Sequence, residues 1–289
     1  MKKSSLYLPD RLKAALTSRA AATGRSEADL IRSALETMLS TGQTSSQRVD
    51  PPIPGRLIGV GVGPGEPELM TVRAVTALRR ADRVLAPTTS VDSVGRAEAI
   101  VREAVLDVPI ERVTFSMNPS RTARDRSVNT AAAAVAAHLN AGEEVAWITL
   151  GDPLTYSTFS AVADRVRKLR PSTIVEQVPG IMAFQALAAR TGTVVADERT
   201  RVSIRTGLDG DELDADLRDQ STTLVVYKGG RRLPDIAAQA AKRGRNGTAV
   251  AGELLGMPGE RIGSLASLAT SPASYLATVI FPARRKGPK

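Results

Sequence analysis

The run Leu57 to Asp82, LIGVGVGPGEPELMTVRAVTALRRAD, places four glycines and one proline in seven residues, Gly59 to Gly65, at the end of an apolar segment. A backbone so bare admits close approach, and it also suits a tight turn. Two common nucleotide signatures fail here. A dinucleotide fingerprint needs glycine at i, i+2 and i+5, yet the last position falls on Pro64 counting from Gly59 and on Glu66 counting from Gly61. A phosphate-cradling Walker loop needs Gly-Lys-Ser/Thr, whereas Gly65 is followed by Glu66, Pro67 and Glu68, whose charges repel a pyrophosphate. Four further segments have the same form, an apolar strand running into glycine or proline: WITLGDPLTYSTF (Trp147 to Phe159), VEQVPGIMAF (Val175 to Phe184), TLVVYKGG (Thr223 to Gly230) and VAGELLGMPGERI (Val250 to Ile262). In open α/β sheets ligands bind beyond the carboxyl ends of the strands, so five such loops are expected to converge on one cleft.

Composition removes several chemistries. The 289 residues include no cysteine and a single histidine, His138. Thiolate catalysis, Cys-ligated zinc and multi-His metal sites are excluded, and no metal is expected. Aromatic residues make up only 3% of the chain, so the core must be built from Ala, Val, Leu and Ile. No apolar run approaches the roughly 18 residues of a membrane span, and a cytoplasmic location is expected. The formal charge of +9 favours an anionic partner: nucleic acid, phosphate or a polycarboxylate.

The elements that position the loops can be read from periodicity. β-rich runs occur at 57–62, 83–86, 144–150, 173–178, 201–206, 223–227 and 247–251, with Ala/Leu-rich helical stretches at 69–80, 95–105, 122–140, 158–169, 181–191 and 233–243. Alternating strands and helices predict an α/β fold with mainly parallel sheet. The segment RIGSLASLATSPASYLATVIFPA lacks a long helix and predicts an antiparallel meander at the end of a second lobe. The expected division is an N-terminal unit at 1–41, a Pro-rich linker at 42–55, α/β lobes at 56–178 and 179–283, and a tail at 284–289.

The series GVGPGEPEL, GDPLTYSTF, VPGIMAF, VVYKGG and GELLGMPGERI resembles the tetrapyrrole methylases, S-adenosylmethionine-dependent enzymes of cobalamin and sirohaem synthesis. The resemblance covers about residues 56 to 283. The YSTF after GDP, Phe184 after VPG, and GMPGERI are most similar to its precorrin-2 C20-methyltransferase branch. It implies a two-lobed α/β fold, a homodimer, and S-adenosyl-L-methionine in the cleft. The residues it places on the cofactor are Gly63, Pro64, Gly65, Leu150, Gly151, Asp152, Thr155, Met182, Ala183, Tyr227, Lys228 and Leu255. Lys228 departs from the methionine of many relatives.

Methyl transfer from a sulfonium to carbon is an in-line displacement that needs no metal and no covalent residue. Positioning alone supplies roughly 7–11 kcal/mol in well-oriented systems. Tyr156 and Asp152 are the candidate catalytic groups, with a packed tyrosine and a loop-capping aspartate as their structural alternatives. A reduced tetrapyrrole such as precorrin-2 is a polycarboxylate, so its cleft needs cations. Arg121, Arg124, Arg126 and Arg231 are the candidates for binding it.

The first 41 residues stand apart. Leu6 and Leu8 alternate with Ser5 and Tyr7 as in a short strand; a helix follows Pro9-Asp10, Gly24 closes it, and Ser26 caps a second helix with Leu30, Ile31, Ala34, Leu35 and Met38 on one stripe. About 40 residues cannot bury an adequate core alone. The pattern resembles the ribbon-helix-helix DNA-binding family of paired chains, which implies Lys3, Ser5 and Tyr7 on the ribbon facing DNA and a phosphate at Ser26. A dimerisation tag without DNA binding is the other reading. Two whole-chain functions are open at this point: a tetrapyrrole methyltransferase with an accessory module, or a transcriptional regulator whose methylase-like part senses a tetrapyrrole or S-adenosylmethionine.

Overall fold

The computed structural model describes residues 10–40, 55–105, 107–116, 120–206, 210–271 and 273–284. The chain divides into two compact units, Met1–Pro51 and Pro52–Lys289. The strand expected at Lys3, Ser5 and Tyr7, most of the linker and the tail beyond Arg284 lie outside the described residues.

The first unit shows two helices, α1 (Asp10–Thr23) and α2 (Glu27–Ser40). Gly24 takes a φ of 64° between them, the left-handed turn that ends a helix most readily at glycine. The Ser26 hydroxyl accepts from the Asp29 amide at 3.1 Å and donates to the Asp29 carboxylate at 2.6 Å, capping α2. Glu27 pairs with Lys13 and accepts from the Thr17 hydroxyl at 2.6 Å, tying the helices together. None of the described side chains from Leu12 to Leu35 is buried; Leu12 and Leu35 are both more than half exposed.

The second unit begins with a five-stranded sheet. Its elements in chain order are β1 (Arg56–Gly61), α3 (Val72–Arg80), β2 (Arg83–Thr88), α4 (Arg96–Ala104), β3 (Ile110–Thr114), α5 (Arg121–Asn140), β4 (Val145–Thr149), α6 (Phe159–Leu169) and β5 (Ile174–Val178). The strand order is β3-β2-β4-β1-β5, and every pairing is parallel. A parallel sheet is covered on both faces, and the side-chain period of two divides it accordingly. Ile58, Val60, Ala146 and Ile148 pack with Ala74 and Leu78 of α3 and with Ile100 and Val101 of α4. Leu57, Leu85, Val145 and Trp147 pack with Ala131, Val135 and Leu139 of α5 and with Phe159, Val162 and Val166 of α6. The alanines of α5 let it lie close to the sheet, which is how a core poor in aromatics is filled. His138 near the end of α5 is not a free surface group: its Nδ1 lies 2.6 Å from Glu143 and its Nε2 2.9 Å from Glu111 on β3.

The second sheet follows through α7 (Ala183–Thr191), β6 (Arg201–Thr206), α8 (Gly210–Arg218), β7 (Thr222–Tyr227), α9 (Leu233–Lys242), β8 (Val250–Glu253), β9 (Arg261–Ser264), the one-turn α10 (Leu265–Leu268) and β10 (Thr278–Phe281). Its order is β6-β7-β10-β8-β9; only β6–β7 is parallel. The α/β class and the antiparallel ending match the sequence expectation. Strand β3 and helix α8 were not expected. On β3 only Val113 is buried, and α8 reads as GDELDADLR with only Leu213 and Leu217 buried, so neither carries a strong apolar period.

Helix α8 supplies an acid-sensitive contact. Asp214 accepts from Arg243 at 2.6 and 2.7 Å and from Arg218 at 2.7 Å. The Arg243 hydrogen bonds, then those of Arg218, hold its pKa down at about 2. Asp219, at the turn into β7, is held at about 2 by the Ser221 and Thr222 hydroxyls first. Both titrate lower folded than unfolded, so their stabilisation is complete above the ordinary value of 3.8 and is lost as pH falls through about 2. Thermal unfolding followed from pH 5 to pH 2 is expected to show a steeper fall for the native chain than for Asp214→Asn. Parallel curves for the two proteins would contradict this.

Candidate active site

Three loops meet at the carboxyl edge of the first sheet. The Gly151 amide donates to the Gly63 carbonyl at 2.8 Å, and the Val62 amide to the Thr149 carbonyl at 3.0 Å, so the loops after β1 and β4 run on as a bridged pair. Asp152 binds in the third. Its Oδ2 accepts from the Gly180 amide at 3.2 Å; its Oδ1 accepts from the Leu154 amide at 2.9 Å and the Thr155 hydroxyl at 3.3 Å. The glycines are required by these approaches. A Cβ on Gly61 would lie 2.5 Å from the Gly151 carbonyl oxygen and 2.7 Å from the Gly180 nitrogen, and one on Gly65 would strike the Leu255 carbonyl. The bare backbone of the first loop therefore serves contact between loops, and Gly63 and Gly65 stand behind the cavity wall.

The wall itself encloses about 570 Å³, within the range of small-molecule sites. From the first sheet come Pro64, Leu150, Gly151, Asp152, Thr155 and Tyr156. From the second come Met182 and Ala183 at the start of α7, Tyr227 and Lys228 after β7, Leu254 and Leu255 after β8, and Tyr275 before β10. Among the described residues four non-glycines have a positive φ, and three of them, Tyr156 (50°), Lys228 (59°) and Leu254 (50°), lie in this wall. Such conformations cost of order 1–3 kcal/mol each and collect at ligand sites.

Tyrosines order the floor. The Tyr156 hydroxyl donates to the Ile204 carbonyl at 2.6 Å, and its ring stands edge-on to Tyr227 at 6.3 Å between centroids. The Tyr227 oxygen accepts from the Phe184 amide at 3.2 Å; burial pushes its pKa up. The Lys228 ammonium reaches the Tyr156 carbonyl at 3.4 Å and lies 5.9 Å from the centre of the Tyr275 ring. Burial, and then the charge of Arg124, lower its pKa.

Ten of the twelve residues proposed for the cofactor line the cavity, with both catalytic candidates. The four proposed arginines do not line it: Arg121, Arg124, Arg126 and Arg231 are exposed, and only Arg124 is close enough to act on Lys228. Arg96, at the start of α4, lines it instead. It was missed together with its whole wall, residues 87–97. That wall is held from behind: the Thr88 hydroxyl donates to the Ser90 carbonyl at 2.9 Å, and Arg112 donates to the Val91 carbonyl at 2.8 Å. Arg112 is itself fixed by the fully buried carboxylate of Glu98 at 2.7 Å, whose pKa that contact lowers. The Ser/Thr/Gly-rich run TTSVDSVGR after β2 was the available signal.

Two five-stranded sheets sharing one cavity at their strand ends define an α/β protein with a small-molecule site. The chain belongs to the family described as Tetrapyrrole (Corrin/Porphyrin) Methylases, which residues 56–269 match; it is a methyltransferase. A precorrin-2 C(20)-methyltransferase from Sinorhizobium sp is 35% identical over 244 residues, 81% of this chain and 98% of that protein. A cobalt-precorrin-2 C(20)-methyltransferase from Salmonella typhimurium is 31% identical over 208 residues, 72% of this chain and 86% of that protein. Among solved structures, the uroporphyrin-III C-methyl transferase from Thermus thermophilus complexed with S-adenosylhomocysteine shares the fold. Its TM-score is 0.53 at 23% identity, over 78% of this chain and 97% of that one.

Proposed function

We propose that the chain transfers a methyl group from S-adenosyl-L-methionine to carbon 20 of precorrin-2, or of its cobalt-bearing form, in cobalamin synthesis. The observation that carries this reading is the meeting of five strand-end loops at one cavity, in a chain 35% identical to a C(20)-methyltransferase over nearly that protein's whole length. Bound in the cavity, S-adenosylmethionine supplies a methyl group already activated on sulfur. Pro64, Leu150, Gly151, Thr155, Met182, Ala183, Tyr227 and Leu255 fit such a molecule, since they combine apolar surface with exposed backbone. Gly63 and Gly65 serve by letting the loops close. The lobes we assign are 56–178 and 179–283, and we expect two chains to pair.

Asp152 acts by position in this reading, because both its oxygens are engaged in tying loops. Asp152→Ala is expected to weaken S-adenosylhomocysteine binding by roughly 10- to 100-fold, the worth of hydrogen bonds to a charged acceptor, while Asp152→Asn, which keeps one acceptor oxygen, loses less. Calorimetric titration checks this, and equal affinity for Asp152→Ala and the native chain would remove the role. Tyr156 is similarly placed to position the site, its hydroxyl being engaged with Ile204.

Incubation with precorrin-2 and donor labelled with ¹³C in its methyl group tests the main reading. A new methyl resonance coupled to carbon 20 is expected; a label at another carbon, or none, contradicts it.

A second reading concerns the N-terminal unit, as a ribbon-helix-helix module that pairs chains. Its support is the helix–turn–helix with the Ser26 cap and side chains that find no burial within the unit. Glu27 and Asp29 at the start of α2 oppose an incoming phosphate, so we favour pairing over DNA binding. A full chain that dissociates on dilution as readily as a chain starting at residue 52 would contradict pairing through this unit, and salt-sensitive binding to random-sequence duplex DNA by the full chain but not by the shortened one would restore the DNA role.

A further inference from the structure

Lys228 is a lysine in an unusual place. Its backbone holds a φ of 59°, and its side chain is half-buried in the cavity wall. Among the described residues no carboxylate pairs with it. The groups that face it are Arg124 from α5, the Tyr156 carbonyl from the loop before α6, and the Tyr275 ring from the loop before β10. The other charged wall residues are Asp152, already engaged by Gly180 and Leu154, and Arg96. A lysine meant only as a fixed positive charge is served by a carboxylate neighbour or by open water. Here partial burial and a second cation act on it instead, and both favour the uncharged amine.

We propose that Lys228 is the base that accepts the proton lost from the acceptor carbon when that carbon gains its methyl group. This rests on the methyltransferase reading above. As the new C–CH3 bond forms, the S–CH3 bond breaks and the donor leaves as a neutral thioether. The acceptor carbon then holds both a hydrogen and the new methyl. Its C–H electron pair returns to the conjugated ring, and the proton passes to the amine of Lys228, which releases it to solvent from the ammonium form. The lowering of its pKa by burial and by Arg124 leaves a larger uncharged fraction near neutral pH. A base placed in this way contributes typically 10²–10⁴-fold.

The test uses the full-length protein with Lys228→Met and Lys228→Arg. Arginine keeps the charge and the reach but does not give up its proton near neutrality. Both variants are expected to lose about 10²-fold or more in kcat, with a smaller change in KM for precorrin-2. The pH profile of kcat should lose its acid limb in both. Independently of turnover, ¹³C-dimethylation of the lysines, with the Lys228 signal assigned from its absence in Lys228→Met, reads the titration of this amine in the ligand-free protein. Its midpoint is expected below that of the other lysines and should rise in Arg124→Gln. Near-native turnover in Lys228→Arg, or a midpoint with the other lysines, would overturn the proposal and leave Lys228 a carboxylate anchor. Failure of the native chain to methylate precorrin-2 would instead count against the functional reading, while the amine titration would still report on Lys228.

Discussion

Replacing Gly61 by alanine is expected to weaken donor binding by about two orders of magnitude or more. The added methyl group would meet the Gly151 oxygen at 2.5 Å, the Gly180 nitrogen at 2.7 Å and the Gly180 Cα at 2.8 Å. All three are backbone atoms, so no side chain can turn aside; one of three loops must move. Overpacking of this kind costs typically 1–3 kcal/mol and occasionally more, and the displacement falls on the loops that form the cavity. S-adenosylhomocysteine affinity is expected to fall by about 100-fold or more, since about 2.8 kcal/mol of misplacement is two decades in affinity. Gly142→Ala is the control. Its φ is 83°, and its Cβ would meet nothing within 4 Å. It should lose about 1–2 kcal/mol of stability through the left-handed backbone and keep its affinity. Calorimetric titration of both variants measures the difference; similar affinities would contradict the crowding argument.

Replacing Arg245 by methionine is expected to produce the largest loss of stability of any single change named here. Arg245 is 3% exposed. Its guanidinium donates to the carbonyls of Asp219 and Thr222 at 3.1 Å, of Phe281 at 2.9 Å and of Pro282 at 3.1 Å, and it lies over the Phe281 ring at 5.6 Å. Burial lowers its pKa. The side chain thus fastens the start of β7 to the end of β10. Methionine fills the space but leaves carbonyls without a donor, and buried unsatisfied groups cost about 1–3 kcal/mol each. A total loss of about 3–5 kcal/mol is expected, as for other broken buried charge contacts. Urea unfolding should show a lower midpoint with an unchanged slope. A loss under about 1 kcal/mol would mean that water reaches these carbonyls, since a hydrated group carries little penalty.

Much of the site was legible because chain reversals at strand ends leave a mark in composition. A run such as VEQVPG or VVYKGG combines β-branched residues with glycine or proline, and each such loop reached the cavity. What the loops do with their glycines was less legible. Gly61 and Gly180 are bare because a Cβ on either would strike the other and the Gly151 carbonyl, while Gly151 holds a left-handed φ of 71°; contacts between residues far apart in sequence leave no local signal. The same distance hid which arginine lines the cavity. Arg121, Arg124 and Arg126 cluster in sequence, yet they occupy exposed turns of α5, whereas the isolated Arg96 is brought to the cavity by the start of α4. Strand β3 was missed because an edge strand with one buried residue needs no alternation. Asp152 and Tyr156 could be found from their loop, but whether they offer free polar groups or tie the loop together depended on Gly180 and Ile204.

Hydrogen exchange read by mass spectrometry, with and without S-adenosylhomocysteine, tests directly whether the five loops form one donor site. Slowed exchange is predicted together in peptides covering 59–65, 149–156, 179–184, 226–229 and 254–257, with little change in α8 and α9. Uptake without protection at these loops, or protection confined to one sheet, would contradict the shared site.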